Sequence, residues 1–210
     1  MPSPSEIAWL SLRRPVTAVD ATRRRLRYAR LMNDEPSAVA RVCLLGAEST
    51  GKTTLAEALA KRHQTLWNPE YGRVYTEVGR ERGAPWESWE FAHIARVHCW
   101  YEDFLATLAH RVLFCDTDAF TTAVFHEAYL GSPASEFDDL TARRYDLYLV
   151  CGLDVPFTHD GLREFEAQRQ WMHERLLAHA RESGSPWLVL EGAPDVRLAA
   201  ASEAVDRLLG

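Results

Sequence analysis

One stretch constrains this chain more than any other: Gly46-Ala47-Glu48-Ser49-Thr50-Gly51-Lys52-Thr53, a GxxxxGKT run. It follows the apolar run Val42-Cys43-Leu44-Leu45, which reads as a buried strand. It leads into Thr54-Leu55-Ala56-Glu57-Ala58-Leu59-Ala60, which reads as a helix start. Gly46 and Gly51 let the backbone curl so that successive N–H groups face inward. The first turn of the next helix adds donors and the positive end of its dipole. This strand–loop–helix unit implies binding of the phosphates of ATP or GTP. Lys52 is placed to reach the β- and γ-phosphates, and the Thr53 hydroxyl to ligate Mg²⁺. Glu48, Ser49, Thr50 and Thr54 complete the nucleotide-binding set, Ser49 and Thr54 with secondary hydrogen bonds.

From Arg41 onward, strand-like and helix-like segments alternate. Strands are expected at 41–45, near 73–77, at 112–116, 147–151 and 187–190. Helices are expected at 52–63, 87–109, 119–130, 164–182 and 196–209. The face of the long helix expected to meet the core holds Trp89, Ala92, Val97, Trp100, Phe104 and Leu108. Short continuous apolar strands separated by helices imply a parallel sheet covered on both faces. The expected fold is an α/β P-loop NTPase: five parallel strands in the order 2-3-1-4-5, flanked by helices. Ligands of such sheets bind at the C-terminal ends of the strands.

Residues 1–38 form an arginine-rich extension and residues 39–210 the body. The extension includes Arg23, Arg24, Arg25, Arg27 and Arg30, and 19–32 reads as a short helix. The formal net charge is −6. Residues 1–40 hold seven arginines against four acids, a net of +3, so the remainder carries −9. An acidic body argues against a broad nucleic-acid surface. No apolar run is long enough to span a membrane, and the N-terminus lacks the order of a secretory signal, so a cytoplasmic location is expected. Cys43, Cys99, Cys115 and Cys151 form no CxxC pair and read as buried free thiols.

Several acids and arginines fall on the expected binding rim. Asp116 and Asp118 follow the third core strand. Either can hold magnesium or take the proton of an acceptor hydroxyl, and Asp118 can also cap the next helix. Glu77 is expected just past a strand, where it grips sugar hydroxyls or acts as base, with Arg80 close behind it. Tyr75 and Trp89 are candidates for stacking on an acceptor. Arg163 and Arg169 are expected on a segment that closes over the triphosphate and neutralises the transferred phosphoryl group. Ala193 and Pro194, after the last strand, are expected against the adenine edge. No guanine-reading NKxD run is present, so a GTPase switch is disfavoured.

The chain resembles the ribosylnicotinamide kinase domain of the bacterial bifunctional NAD-biosynthesis regulator, a kinase-like AAA domain. The resemblance rests on Gly46-Ala-Glu-Ser-Thr-Gly-Lys-Thr53, Glu77-Val-Gly-Arg-Glu81, Asp116-Thr-Asp-Ala-Phe-Thr-Thr122, and Asp160-Gly-Leu-Arg163 with Arg169. It implies ATP and Mg²⁺ as cofactors and nicotinamide riboside as acceptor, phosphorylated on its ribose 5′-hydroxyl. In this resemblance Lys52 and Thr53 handle phosphate and metal. Glu77 holds the ribose or nicotinamide end, Asp116 or Asp118 serves the acceptor hydroxyl and metal, and Arg163 and Arg169 belong to a lid. Where the family often carries a tryptophan–glutamate–tyrosine run, this chain has Thr76-Glu77-Val78, and Tyr71, Tyr75, Trp86 or Trp89 must supply the ring contact. Another nucleoside or small metabolite as acceptor is the alternative within the kinase reading. A module that uses ATP to gate an interaction is the alternative outside it.

Overall fold

Alternating side chains on short strands account for the architecture seen in a computed structural model, which describes residues 39–81, 83–158 and 166–210. The strands are β1 (Ala40–Leu45), β2 (Leu66–Asn68), β3 (Val112–Asp116), β4 (Leu147–Cys151) and β5 (Trp187–Leu190). They pair in parallel in the order β2-β3-β1-β4-β5, the order expected. The helices are α1 (Lys52–Arg62), α2 (Tyr71–Val74), α3 (Ser88–Ala106), α4 (Ala119–Leu130), α5 (Asp138–Thr141), α6 (Arg169–Glu182) and α7 (Pro194–Leu209). Side chains alternate across a strand, so neighbours on β1 serve opposite layers. Val42 and Leu44 pack with Leu55, Ala56 and Leu59 of α1 and with Ala201 and Val205 of α7. Cys43 and Leu45 pack with Val124 of α4 and with Met172, Leu176 and Ala180 of α6. β3 and β4 are buried along their whole length because both faces are covered. Each such leucine or valine stabilises the fold by ~1.5–3 kcal/mol on burial.

Local signals set the helix ends near the site. Asp118 caps α4 by accepting from the Thr121 backbone N–H at 2.8 Å, and Gly131, at φ 70°, ends that helix. A capping box between Glu87 and Glu90 starts α3. Pro194 opens α7 at its first turn, two residues ahead of the expected start. All four cysteines are buried free thiols.

Two expectations are corrected. The segment 73–77 is not a strand: β2 lies earlier, at Leu66–Asn68, and Tyr71–Val74 is helical and continues as a π-helical turn, Tyr75–Gly79. The β-propensity of Val74 and Tyr75 yields to packing, because the helical form lets the Tyr75 hydroxyl donate to Glu90 of α3 at 3.1 Å. The long helix also presents a different face to the core. Phe91, Ala92, Ile94, Ala95, His98, Cys99 and Glu102 are buried, whereas Trp89, Trp100, Phe104 and Leu108 are exposed. The buried face carries polar groups with specific partners. Glu102 accepts from Arg41 at 2.6 Å, Arg143 at 3.1 Å and the Tyr145 hydroxyl at 2.7 Å. These bonds fix the roll of α3 and leave Trp89, Trp100 and Phe104 facing outward.

Candidate active site

The loop between β1 and α1 is wound as a phosphate-binding cradle. Gly51 sits at φ 84° as the N-cap of α1, and no acid occupies the first turn of that helix. Gly46 is required for space: a Cβ there would meet the Thr50 hydroxyl at 2.6 Å and the Cys151 Cβ at 3.1 Å. The Thr50 hydroxyl donates to the Ala47 carbonyl at 2.8 Å, and the Lys52 ammonium donates to the same carbonyl at 3.1 Å. The loop is thus held closed from inside, with Lys52 folded across it. Glu48, Ser49, Thr50, Gly51, Lys52, Thr53 and Thr54 all line a cavity of about 170 Å³.

Behind the cradle, Thr53 donates its hydroxyl to Asp116 Oδ2 at 2.6 Å. Asp116 is buried and its other oxygen, Oδ1, has no hydrogen-bond partner. Burial pushes this carboxyl up to about 6, against the opposing pull of Lys52 and the Thr53 hydroxyl. A hydroxyl and an unpaired buried carboxylate oxygen beside a phosphate loop suit a hard divalent cation such as Mg²⁺. Asp118 has a different arrangement. Its Oδ1 accepts from both the backbone N–H and the hydroxyl of Thr121, each at 2.8 Å, and its Oδ2 faces His179 Nε2 at 3.3 Å. Asp118 is not among the residues lining the cavity.

The far half of the cavity is built by side chains from separate elements. Trp86, Phe91, Phe125 and Tyr129 line it, with the Trp86 ring 4.9 Å from Phe91 and 5.0 Å from Tyr129 between centroids. Glu70, Arg73, Thr76, His98, Thr117, Thr121 and Thr122 bring polar groups to the same space. The candidates Tyr75, Glu77, Arg80 and Trp89 do not line it. Glu77, in the π-helical turn, faces Arg73 at 3.3 Å, and Trp89 donates its indole N–H to Glu87 at 2.6 Å. Arg80 stands one layer back. Its guanidinium lies 3.9 Å from the Trp86 ring centroid and donates to buried Glu90 at 3.0 Å. Tyr75 converges on the same Glu90. The pair Arg80–Glu90 therefore backs the aromatic wall. Of the groups in this half, sequence reading weighed only Trp86 as an acceptor contact. Glu70, Phe91, Phe125 and Tyr129 carry no motif of their own, although Thr121 and Thr122 sit in the run that begins at Asp116.

Segments after β4 and β5 brace the cradle. Arg169, at the start of α6, donates to the Glu48 carbonyl at 3.1 Å and to the Val155 carbonyl at 3.0 Å. The Thr158 backbone N–H donates to Ser49 Oγ at 2.8 Å. Arg163 lies outside the described residues. Arg197 of α7, buried and not anticipated from the sequence, donates to the Thr50 carbonyl at 2.8 Å and the Gly192 carbonyl at 3.0 Å, and pairs with Asp154. Asp154 also accepts from the Gly192 N–H at 2.6 Å. Ala193 and Pro194 open α7 beside this cluster but do not line the cavity.

With this geometry in view, likeness to known proteins becomes specific. A family model described as an AAA domain matches residues 41–197, most of the chain and the whole of the site above. The chain belongs to that AAA-domain family. Among curated proteins it is 32% identical over 182 residues to the trifunctional NAD biosynthesis/regulator protein NadR of Salmonella typhimurium, covering 84% of this chain and 44% of that protein. It is 36% identical over 132 residues to the Escherichia coli NadR, covering 61% of this chain and 32% of that protein. The chain thus spans less than half the length of these relatives. The crystal structure of a NadR protein in complex with NR superposes with a TM-score of 0.68 at 26% identity, covering 82% of this chain and 50% of that one.

Proposed function

We propose that this chain is an ATP-dependent kinase that phosphorylates the ribose 5′-hydroxyl of nicotinamide riboside, giving nicotinamide mononucleotide and ADP. The observation that carries this reading is a single cavity with a phosphate cradle at one end and an aromatic, carboxylate-bearing pocket at the other. Likeness to NadR, including a NadR structure in complex with NR, favours nicotinamide riboside over other nucleosides.

Phosphoryl transfer asks for alignment and charge neutralisation more than for a strong base. Lys52 leaves the Ala47 carbonyl and takes the β- and γ-phosphate oxygens, while the loop amides and the α1 N-terminus hold the rest of the triphosphate. Thr53 and Asp116 are the residues that would hold Mg²⁺, which supplies positive charge to the phosphate oxygens when bound. The Trp86–Phe91–Tyr129 wall offers ring faces to a cationic pyridinium, an attraction that strengthens away from water. Glu70 brings a carboxylate to the acceptor end, the role sequence reading placed on Glu77. Asp118 serves by capping α4 and so fixing Thr121 and Thr122 at the cavity wall. Arg169 closes the cradle from α6, with Arg163 assigned to the same lid.

The test is ADP release with ATP and Mg²⁺ across a nucleoside panel that includes nicotinamide riboside, with Lys52→Ala as control. The expected result is stimulation by that riboside, with nicotinamide mononucleotide identified by mass and turnover lowered at least ~10³-fold in the variant. Stimulation by a different nucleoside alone would keep the kinase and overturn its acceptor. ATP binding with no acceptor-dependent ADP release would overturn the kinase reading in favour of an ATP-gated interaction module.

A further inference from the structure

Two polar side chains on the cavity wall are buried with their bonding incomplete. Thr117 and His98 both line the cavity and are 4% and 1% exposed. Among the described residues, the Thr117 hydroxyl and His98 Nδ1 have no hydrogen-bond partner. Buried polar atoms are nearly always paired, so two such atoms on one wall point to a ligand that completes them. The backbone at Thr117 points the same way. Its φ is 81°, a left-handed value that a β-branched residue rarely adopts. Such strain persists only where the surroundings over-determine it, and it concentrates at functional sites. Here both backbone groups are held. The Thr117 N–H donates to the Leu44 carbonyl of β1 at 3.1 Å, and the Thr117 carbonyl lies 3.3 Å from His98 Nε2. Asn68, at the end of β2, fixes His98 in turn. Its Nδ2 lies 3.2 Å from the same ring nitrogen and donates to the His98 carbonyl at 3.3 Å. Burial holds the imidazole below its ordinary range, so the ring is neutral at pH 7.

We infer that Thr117 and His98 form a subsite for the two non-reacting hydroxyls of the acceptor's ribose, and so select a riboside over a deoxyriboside. This subsite presupposes the kinase reading proposed above. Position chooses the ligand. Phe91, Ile94 and His98 of α3 all line the cavity. Phe91 belongs to the aromatic wall, and His98 lies two turns further on, about 10 Å along the helix axis. Thr117 directly follows Asp116, which accepts from the Thr53 hydroxyl of the cradle. The two groups therefore stand between the ring wall and the phosphate loop. A nucleoside whose base meets the wall and whose 5′-hydroxyl meets the phosphate carries its sugar there. Chemistry agrees with position. A threonine hydroxyl can donate and accept, and a neutral imidazole nitrogen can do one or the other, as a sugar hydroxyl requires. Neither group is charged, which suits a diol better than a carboxylate or a phosphate. A buried site that a hydroxyl completes rejects the analogue lacking it, because the site's own groups are then left unpaired.

The experiment is kcat/KM of the full chain, with ATP and Mg²⁺, for nicotinamide riboside and its 2′-deoxy and 3′-deoxy analogues. The unaltered protein is expected to prefer the riboside over both analogues by at least ~10²-fold. Thr117→Val keeps the β-branch and removes only the hydroxyl. It should lower kcat/KM for the riboside by ~10²-fold while leaving one of the analogues nearly unchanged, so that the preference over that analogue collapses. It should melt no lower than the unaltered protein, because the lost hydroxyl has no partner without substrate. Thr117→Ser should keep the preference, and His98→Leu, which also releases the Thr117 carbonyl, should lose it over both analogues. Equal kcat/KM for the riboside and both analogues would overturn the subsite and leave the kinase standing. So would a Thr117→Val variant that loses riboside and analogues alike, since that is the mark of a structural threonine. ADP release stimulated by no nucleoside would instead overturn the kinase reading, and the subsite with it.

Discussion

The two ends of the cavity are built by different means. The phosphate-loop end is a contiguous run of residues, and its geometry follows from two glycines and a helix start. The other end draws Glu70 and Thr76 from around α2, Trp86 from a loop, Phe91 and His98 from α3, and Phe125 and Tyr129 from α4. Phosphate is the same group in every substrate, and backbone dipoles suffice to hold it. A base and its sugar differ from one substrate to the next, and recognising them takes side chains brought together by packing. The contrast teaches that the phosphate loop is written locally in this chain, whereas the other end of the cavity is a property of the assembled fold.

Removing the charge behind the cradle should have the largest effect. Asp116→Asn is expected to lower acceptor-dependent turnover by ~10²–10³-fold. In the nucleotide-free protein the same change should stabilise, with a sign that can be worked out. The folded carboxyl sits at about 6 against an ordinary 3.8, so it keeps its proton where the unfolded chain has lost one. Its contribution to stability is therefore lost as pH rises through that window, by up to ~3 kcal/mol. Melting curves of the two proteins should coincide at the acid end, diverge as pH rises from 3.8 to about 6 and stay apart above that, the asparagine variant melting higher. Equal melting at neutral pH would remove burial as the dominant influence on this group.

At the other end, Trp86→Ala should raise the acceptor KM by ~10-fold and leave the ATP KM unchanged. A rise in both would erase the separation between the two ends. Arg197→Met tests whether the cradle is as local as it looks. It leaves Asp154 and the Thr50 and Gly192 carbonyls without their buried donor, and should cost ~2–4 kcal/mol in denaturant unfolding with only a few-fold rise in the ATP KM. A large loss of ATP affinity would mean that the loop depends on α7 for its shape. The smallest effect is expected from Glu77→Gln, which should change neither KM by more than ~twofold because Glu77 does not line the cavity and meets it only through a half-exposed pair with Arg73. A strong acceptor-specific loss there would move the acceptor pocket along the π-helical turn.

The parallel sheet, its strand order, the glycine-rich loop after β1 and the acid that ends β3 were all legible in the sequence. Each rests on short-range chemistry: apolar runs the length of a strand, glycines where backbone must curl, a carboxylate at a strand's end. Two kinds of feature were not legible. β2 is three residues long, too short to show a period, and the nearby β-prone pair Val74-Tyr75 lies in helical backbone. The roll of α3 was the other, since large aromatic residues lie on its exposed side and Glu90, His98 and Glu102 on its buried one.

What the sequence determined by itself is thus the strand–loop–helix unit of the phosphate loop, because it depends on residues adjacent in the chain. Tertiary structure alone decided which face of α3 meets the core, which aromatic rings line the cavity, and that Arg197 braces the cradle beside Arg169 and Thr158. The physical reason is common to all three. A buried Glu102, Glu90 or Arg197 is tolerable only where partners from other elements satisfy it. Those partners are distant in sequence and meet only on folding.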